Sequence, residues 1–203
     1  MKKIIDEKMN SKHYWDYMYE TNGIFGNGYS QWSTFRRLGE ISKHIENNSR
    51  VADLFAGAGT LEYIHGPYNY YLACDWSESG LELTRADKKI KYDVCNRKQR
   101  KEVLSECKNE NIDWIVLCGA FMLNNIINNV NVFEFLRECL SVAKKGVIAN
   151  FGSDESIYNG DYSSVLRPSE VIVKLDDLKP TIIQNYLPHE YLLKLEHPKK
   201  DWR

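Results

Sequence analysis

Apolar residues follow two rhythms along this chain. One is a set of short runs the length of buried strands: 51–55, 70–74, 90–92, 113–118 and 147–151. The other is a set of longer segments with helical spacing. Residues 32–47 place Phe35, Leu38, Ile41 and Ile45 on one face, with Ser33-Thr34 at the start and Asn47-Asn48 at the end. Residues 130–143 are apolar nearly all round, as for a helix packed on a sheet, whereas 97–108 read as an exposed, charged helix. Residues 1–22 predict a further helix, with Ser11 able to cap a segment rich in aromatics (Tyr14, Trp15, Tyr17 and Tyr19). Gly23, Gly26 and Gly28 then predict a loop over 22–31. Near the end, 167–175 read as a short helix, and 181–187 and 190–195 as strands joined at Pro188-His189 in an antiparallel hairpin.

The stretch Val51-Ala52-Asp53-Leu54-Phe55-Ala56-Gly57-Ala58-Gly59-Thr60 organises the rest. It reads as a strand, a small-residue turn that lets a backbone approach a ligand, and a helix start with Thr60 as its N-cap. Asp75 closes the next apolar run, about 20 residues on, where an acid can accept hydrogen bonds from a ribose diol. The turn lacks the third glycine of the dinucleotide fingerprint and the Gly-Lys-Ser/Thr ending of a phosphate loop. The expected ligand is therefore a nucleoside without a pyrophosphate.

On Asp53, Gly57, Gly59 and Asp75 the chain resembles the class I S-adenosylmethionine-dependent methyltransferases. The resemblance implies a Rossmann-like α/β fold with a seven-stranded sheet of order 3-2-1-4-5-7-6, strand 7 antiparallel, and an N-terminal helical cap. It implies S-adenosyl-L-methionine as methyl donor and S-adenosyl-L-homocysteine as product. It carries a donor site onto Asp53, Ala56, Gly57, Gly59, Asp75, Trp76, Asp93, Val94, Cys118 and Gly119. Trp76 would flank the adenine, and Asp93 and Val94 would read its edge. Trp15, in the aromatic helix, would cover the donor, and Arg36 or Arg37 would pair with its carboxylate. The helix, Gly-rich loop, Tyr29 and second helix resemble a subgroup of bacterial methyltransferases linked to surface-polysaccharide assembly.

Composition narrows the acceptor. Net charge is -1, from 27 basic and 28 acidic side chains, so there is no electrostatic footprint for nucleic acid or an anionic membrane. Neither Asn/Asp-Pro-Pro-Tyr/Phe nor a Pro-Cys nucleophile follows the fourth strand, which removes the features of nucleic-acid amino- and cytosine-C5 methylation. RNA methylation remains the weaker alternative; no DNA is expected. No run of about 18 apolar residues spans a bilayer. The N-terminus lacks the apolar core of a signal peptide, so a cytoplasmic location is expected. The five cysteines read as reduced thiols, with Cys74, Cys118 and Cys139 inside predicted elements. No metal-ligand spacing is present.

One domain over 1–203 is expected, with 1–48 as helical lid and 49–203 as core. The expected reaction is methyl transfer to a small molecule, read as a hydroxyl of a sugar or sugar precursor. The alternative from another class is a donor-binding partner subunit without turnover. A hydroxyl acceptor needs a base. Candidates on the expected face are His13, Tyr14, Tyr29, Asp154 and Tyr158; His65 is expected on the surface and His189 in the hairpin turn away from the site.

Overall fold

The computed structural model describes residues 11–25, 31–153 and 165–198. The short apolar runs form β1 (Arg50–Asp53), β2 (Tyr70–Asp75), β3 (Lys88–Lys91), β4 (Trp114–Leu117) and β5 (Gly146–Gly152), and the hairpin forms β6 (Thr181–Ile183) and β7 (Glu190–Glu196). They make one seven-stranded sheet of order β3-β2-β1-β4-β5-β7-β6. The pairs among β1 to β5 are parallel, and β7 runs antiparallel to both β5 and β6. This is the sheet that the sequence predicts. Every residue of β4 and β5 is buried, which is why their runs are unbroken by polar positions. β3 sits at the edge and alternates half-buried with exposed residues.

Helices cover both faces: α1 (Lys12–Asn22), α2 (Gln31–Ser42), α3 (Thr60–His65), α4 (Glu78–Leu83), α5 (Arg97–Asn109), α6 (Asn124–Asn129), α7 (Val132–Val142) and α8 (Pro168–Lys174). Successive side chains of a strand point to opposite faces. Trp114 and Val116 accordingly join one apolar layer, with Leu38, Ile41 and Ile148, while Ile115 and Leu117 join the other, with Phe135, Leu136 and Leu193. In the second layer Phe121, Phe151 and Tyr191 stack at centroid spacings of 5.0 and 5.3 Å, which ties the end of β5 to the loop after β4.

Some local expectations are corrected. Ser11 does cap α1, accepting from the Tyr14 amide. Thr60 does not cap α3: Gly59 takes that place in the left-handed region at φ 71°, and Thr60 starts the helix, its hydroxyl donating to the Ile24 carbonyl at 2.9 Å. Phe35 does not share the buried face of Leu38, Ile41 and Ile45; it is 42% exposed. His65 is half-buried beside Gly39 rather than a surface residue. The loop expectations over 26–30 and 154–164 lie outside the described residues.

Gly146 shows how tightly the β4–β5–β7 joint is packed. A Cβ there would lie 2.2 Å from the Leu195 carbonyl oxygen and 2.7 Å from Trp114 Cζ3. Gly146→Ala is expected to destabilise the chain by about 1–3 kcal/mol, as overpacking does. Urea unfolding should show a lower midpoint with an unchanged slope.

Candidate active site at the strand tips

β1 and β2 are neighbours, and both end on a buried aspartate, Asp53 at 3% and Asp75 at 8% exposure. The turn after β1 folds back over these tips. Gly57 at φ 51° and Gly59 at φ 71° take backbone angles that other residues adopt only with strain. The Gly57 amide donates to Asp75 Oδ2 at 2.9 Å, and the Ser77 amide donates to Asp75 Oδ1 at 2.8 Å. One carboxylate thus ties the glycine turn to the start of α4. Asp53 is held differently, by the Tyr71 hydroxyl at 2.9 Å and the Phe55 amide at 3.3 Å.

Burial dominates the ionisation of both acids. It pushes Asp53 up to about 7 against the opposing bonds from Tyr71 and Phe55, and the charge on Asp75 adds to the rise. It pushes Asp75 up to about 6 against the amides of Ser77, Gly57 and Trp76. Two acids side by side without a cation resist being charged together.

Above the tips lies a cavity of about 130 Å³. Its floor is Asp53, Phe55, Ala56, Thr60 and Asp75. Trp76, Tyr92 and Val94 form one side, and Cys118, Gly119, Met122, Leu123 and Ile126 form the side beyond β4. Trp15 and Tyr19 of α1, with Thr34, Arg37 and Leu38 of α2, complete it. The Ser77 hydroxyl and the Ser79 amide donate to Asp16 at 2.7 and 3.3 Å, and the Ser79 hydroxyl donates to Glu20 at 2.9 Å. These bonds hold α1 on the start of α4. Tyr19 then lies directly on the turn: a Cβ at Gly57 would be 2.0 Å from its hydroxyl oxygen. Burial, then the charges of Asp75 and Asp53, push the Tyr19 phenol well above its ordinary range.

Of the residues singled out from sequence, Trp15, Asp53, Ala56, Asp75, Trp76, Val94, Cys118 and Gly119 line this cavity. Gly57 lies beneath Tyr19, and Gly59 packs against Thr84. Asp93 is outside the cavity: it is exposed, accepts from the Cys95 amide, and its own amide donates to Gln99. It closes a turn there, as an aspartate at a strand end readily does. Arg36 also lies outside, with Nε donating to the Tyr186 carbonyl at 3.3 Å. His13 is exposed, and Tyr14 packs edge-on against Trp15 at 5.3 Å without lining the cavity. Tyr29, Asp154 and Tyr158 lie outside the described residues. All five cysteines are free thiols, and burial pushes Cys118 up to about 12.

The largest feature missed from sequence is the wall opposite Asp75. Arg37 is 4% exposed and forms a bidentate pair with Glu190, Nε to Oε2 at 2.7 Å. Asn150 donates to the same carboxylate at 3.3 Å and accepts the amide of Gly119. The pair therefore fixes the loop after β4. It joins residues 153 positions apart, which no local pattern reveals.

Sheet order, an antiparallel seventh strand and a cleft at the carboxyl ends of the strands define the class: the Rossmann-like fold of S-adenosylmethionine-dependent methyltransferases. No protein-family model and no curated protein matches the chain. Solved structures do. The magnesium protoporphyrin IX methyltransferase of Synechocystis PCC 6803 with bound S-adenosylhomocysteine aligns at TM-score 0.58 and 10% identity, over 98% of this chain and 100% of that one. The DhpI–S-adenosylhomocysteine complex aligns at 0.61 and 12%, over 96% and 98%. An S-adenosylmethionine-dependent methyltransferase of Anabaena variabilis aligns at 0.61 and 12%, over 92% and 95%. At such identities the likeness establishes the fold.

The buried acids make stability depend on pH. Asp53 holds its proton more tightly folded than unfolded, so its contribution to stability is lost as pH rises from about 4 to about 7. Asp53→Asn keeps an acceptor for Tyr71 and removes that loss. Relative to the parent chain, its stability by urea unfolding is expected to improve by about 2–4 kcal/mol between about pH 4 and about pH 8.

Proposed function

We propose that this chain binds S-adenosyl-L-methionine across the tips of β1 and β2 and transfers its methyl group to a small-molecule acceptor. The observation that carries this reading is Asp75, held at a strand tip beside a left-handed glycine turn and under an aromatic roof. The fit to the donor is chemical. The Asp75 oxygens accept the Gly57 and Ser77 amides, one on each, and the carboxylate keeps lone-pair capacity for a ribose hydroxyl. Trp76 and Val94 offer apolar surface to a base, and the turn at Gly57 gives way to a tail once Tyr19 swings aside.

When bound, the donor supplies a methyl group on a sulfonium centre, open to direct displacement. The chain's own part is to orient and to exclude water. Trp15 and Tyr19 close the cavity from above, and Arg37 with Glu190 fixes its far wall. We read the acceptor as a hydroxyl of a sugar or sugar precursor, on the resemblance of the N-terminal pattern to polysaccharide-linked enzymes. We also read 1–48 as the lid of a single methyltransferase domain, at work in the cytoplasm. Among the described residues no histidine lines the cavity, which favours a second reading, donor binding without turnover. Incubation with labelled donor and sugar nucleotides separates the two, because only the first gives methylated product.

Asp75→Ala is expected to weaken S-adenosylhomocysteine binding by about 1.5–3 kcal/mol in calorimetry, the scale of a hydrogen bond to a charged group. For the parent chain, ribose hydroxyls donate to the ionised carboxylate, so affinity should rise with pH through about 6 and then level, with proton release on binding near that pH. Unchanged affinity in the variant removes Asp75 from the site. Tyr19→Ala clears the turn, and stopped-flow measurements should show S-adenosylhomocysteine both associating and dissociating faster.

A further inference from the structure

A second cavity, of about 390 Å³, shares the Arg37–Glu190 wall with the first. It is built from Trp32 and Arg36 of α2, Ser153 after β5, and the bend between β6 and β7 that carries Gln184, Asn185 and His189. Glu190 is its acid, and Arg37 already engages that carboxylate. Arg36 is exposed and makes no ion pair among the described residues; its guanidinium lies 5.0 Å over the Trp32 ring, and its Nε bond to Tyr186 pins it there. Among the described residues no acid engages the remaining guanidinium nitrogens of Arg36, which lines the groove. His189 sits in the left-handed region at φ 71°, and its Nδ1 is buried with no hydrogen-bond partner among the described residues. Strained backbone of this kind concentrates at ligand sites. Trp32 leaves 59% of its surface open.

A planar guanidinium held over an open indole, with the amide side chains of Gln184 and Asn185 along the same groove, suits an oxyanion carried on a ring. Among the described residues Glu190 is the groove's one acid, and Arg37 pairs with it. We propose that this groove holds the anionic group of the methyl acceptor, a carboxylate or phosphate on a hydroxyl-bearing, sugar-class molecule. The word acceptor rests on the methyltransferase reading; the anion site does not. Arg36 and Arg37 then divide the work. The first holds the acceptor's charge, and the second, through Glu190, separates that charge from the donor cavity.

The test is a titration of the full ¹⁵N-labelled chain, loaded with S-adenosylhomocysteine, watching the Trp32 indole signal identified by its loss in Trp32→Phe. The probes are glucose 6-phosphate, glucuronate and uncharged glucose. Saturable movement with at least one anion and not with glucose is expected, and the tighter anion identifies the group. Arg36→Ala should weaken that binding tenfold or more, and Arg36→Lys should restore part of it. Equal response to glucose, no saturation by either anion, or an unaltered Arg36→Ala titration overturns the proposal. S-adenosylhomocysteine affinity is measured separately. Its absence in the parent chain defeats the methyltransferase reading, while the anion titration, repeated without it, still decides the groove.

Discussion

The site depends on a single carboxylate that accepts two backbone amides. Asp75 takes Gly57 on one oxygen and Ser77 on the other, and so clamps the turn after β1 to the turn after β2. The turn's other anchors are small: the buried methyl groups of Ala56 and Ala58 and the bond from the Ala56 amide to the Cys74 carbonyl at 3.1 Å. The arrangement is costly in another currency: a buried acid is reluctant to ionise, the charge of Asp75 adds to that reluctance at Asp53, and the charge of Asp16 adds to it at Asp75. Donors from a ligand would relieve this. Perturbed acids of this kind cluster at functional sites.

The roof follows from the same clamp. Ser77 gives its amide to Asp75 and its hydroxyl to Asp16, so the residue that fixes the floor also fixes α1 above it. Tyr19 is carried down onto Gly57 as a result. The polar bonds that hold α1 range from the part-buried pair at Asp16 to the exposed one at Glu20, and the buried Trp15 adds apolar contact beneath the helix. Floor and roof are therefore coupled through one serine, and movement of α1 changes the surroundings of Asp75.

The sheet was legible in the sequence because its central strands are buried on both faces, and burial on both faces writes an unbroken apolar run. Asp53, Asp75 and the glycines were legible because a close backbone approach demands small residues at a fixed place after a strand. Other positions were not. Asp93 stands where a strand ends, but strand-end aspartates also close turns, and this one accepts its neighbour's amide instead of facing the cavity. Thr60 reads as a cap, yet the left-handed Gly59 makes the cap unnecessary by ending the turn itself. Glu190 carries no local signal, since its role arises only when β7 pairs back onto β5 and brings it to Arg37.

Arg36 and Arg37 show most sharply what sequence leaves open. A basic pair on a helix announces charge but not direction. Neighbouring residues on a helix do not share a face. Arg37 turns inward, where burial without a partner would be prohibitive, and Glu190 and the Asn150 bond to that carboxylate make it tolerable. Arg36 turns outward, over the Trp32 ring and onto the Tyr186 carbonyl. Breaking the inward pair would leave a charge stranded beside the cavity at the strand tips. The pair stands where the two cavities meet, and because it is made of side chains it can shift by rotamer changes rather than by unfolding any strand, which lets one molecule reach from the second cavity to the first.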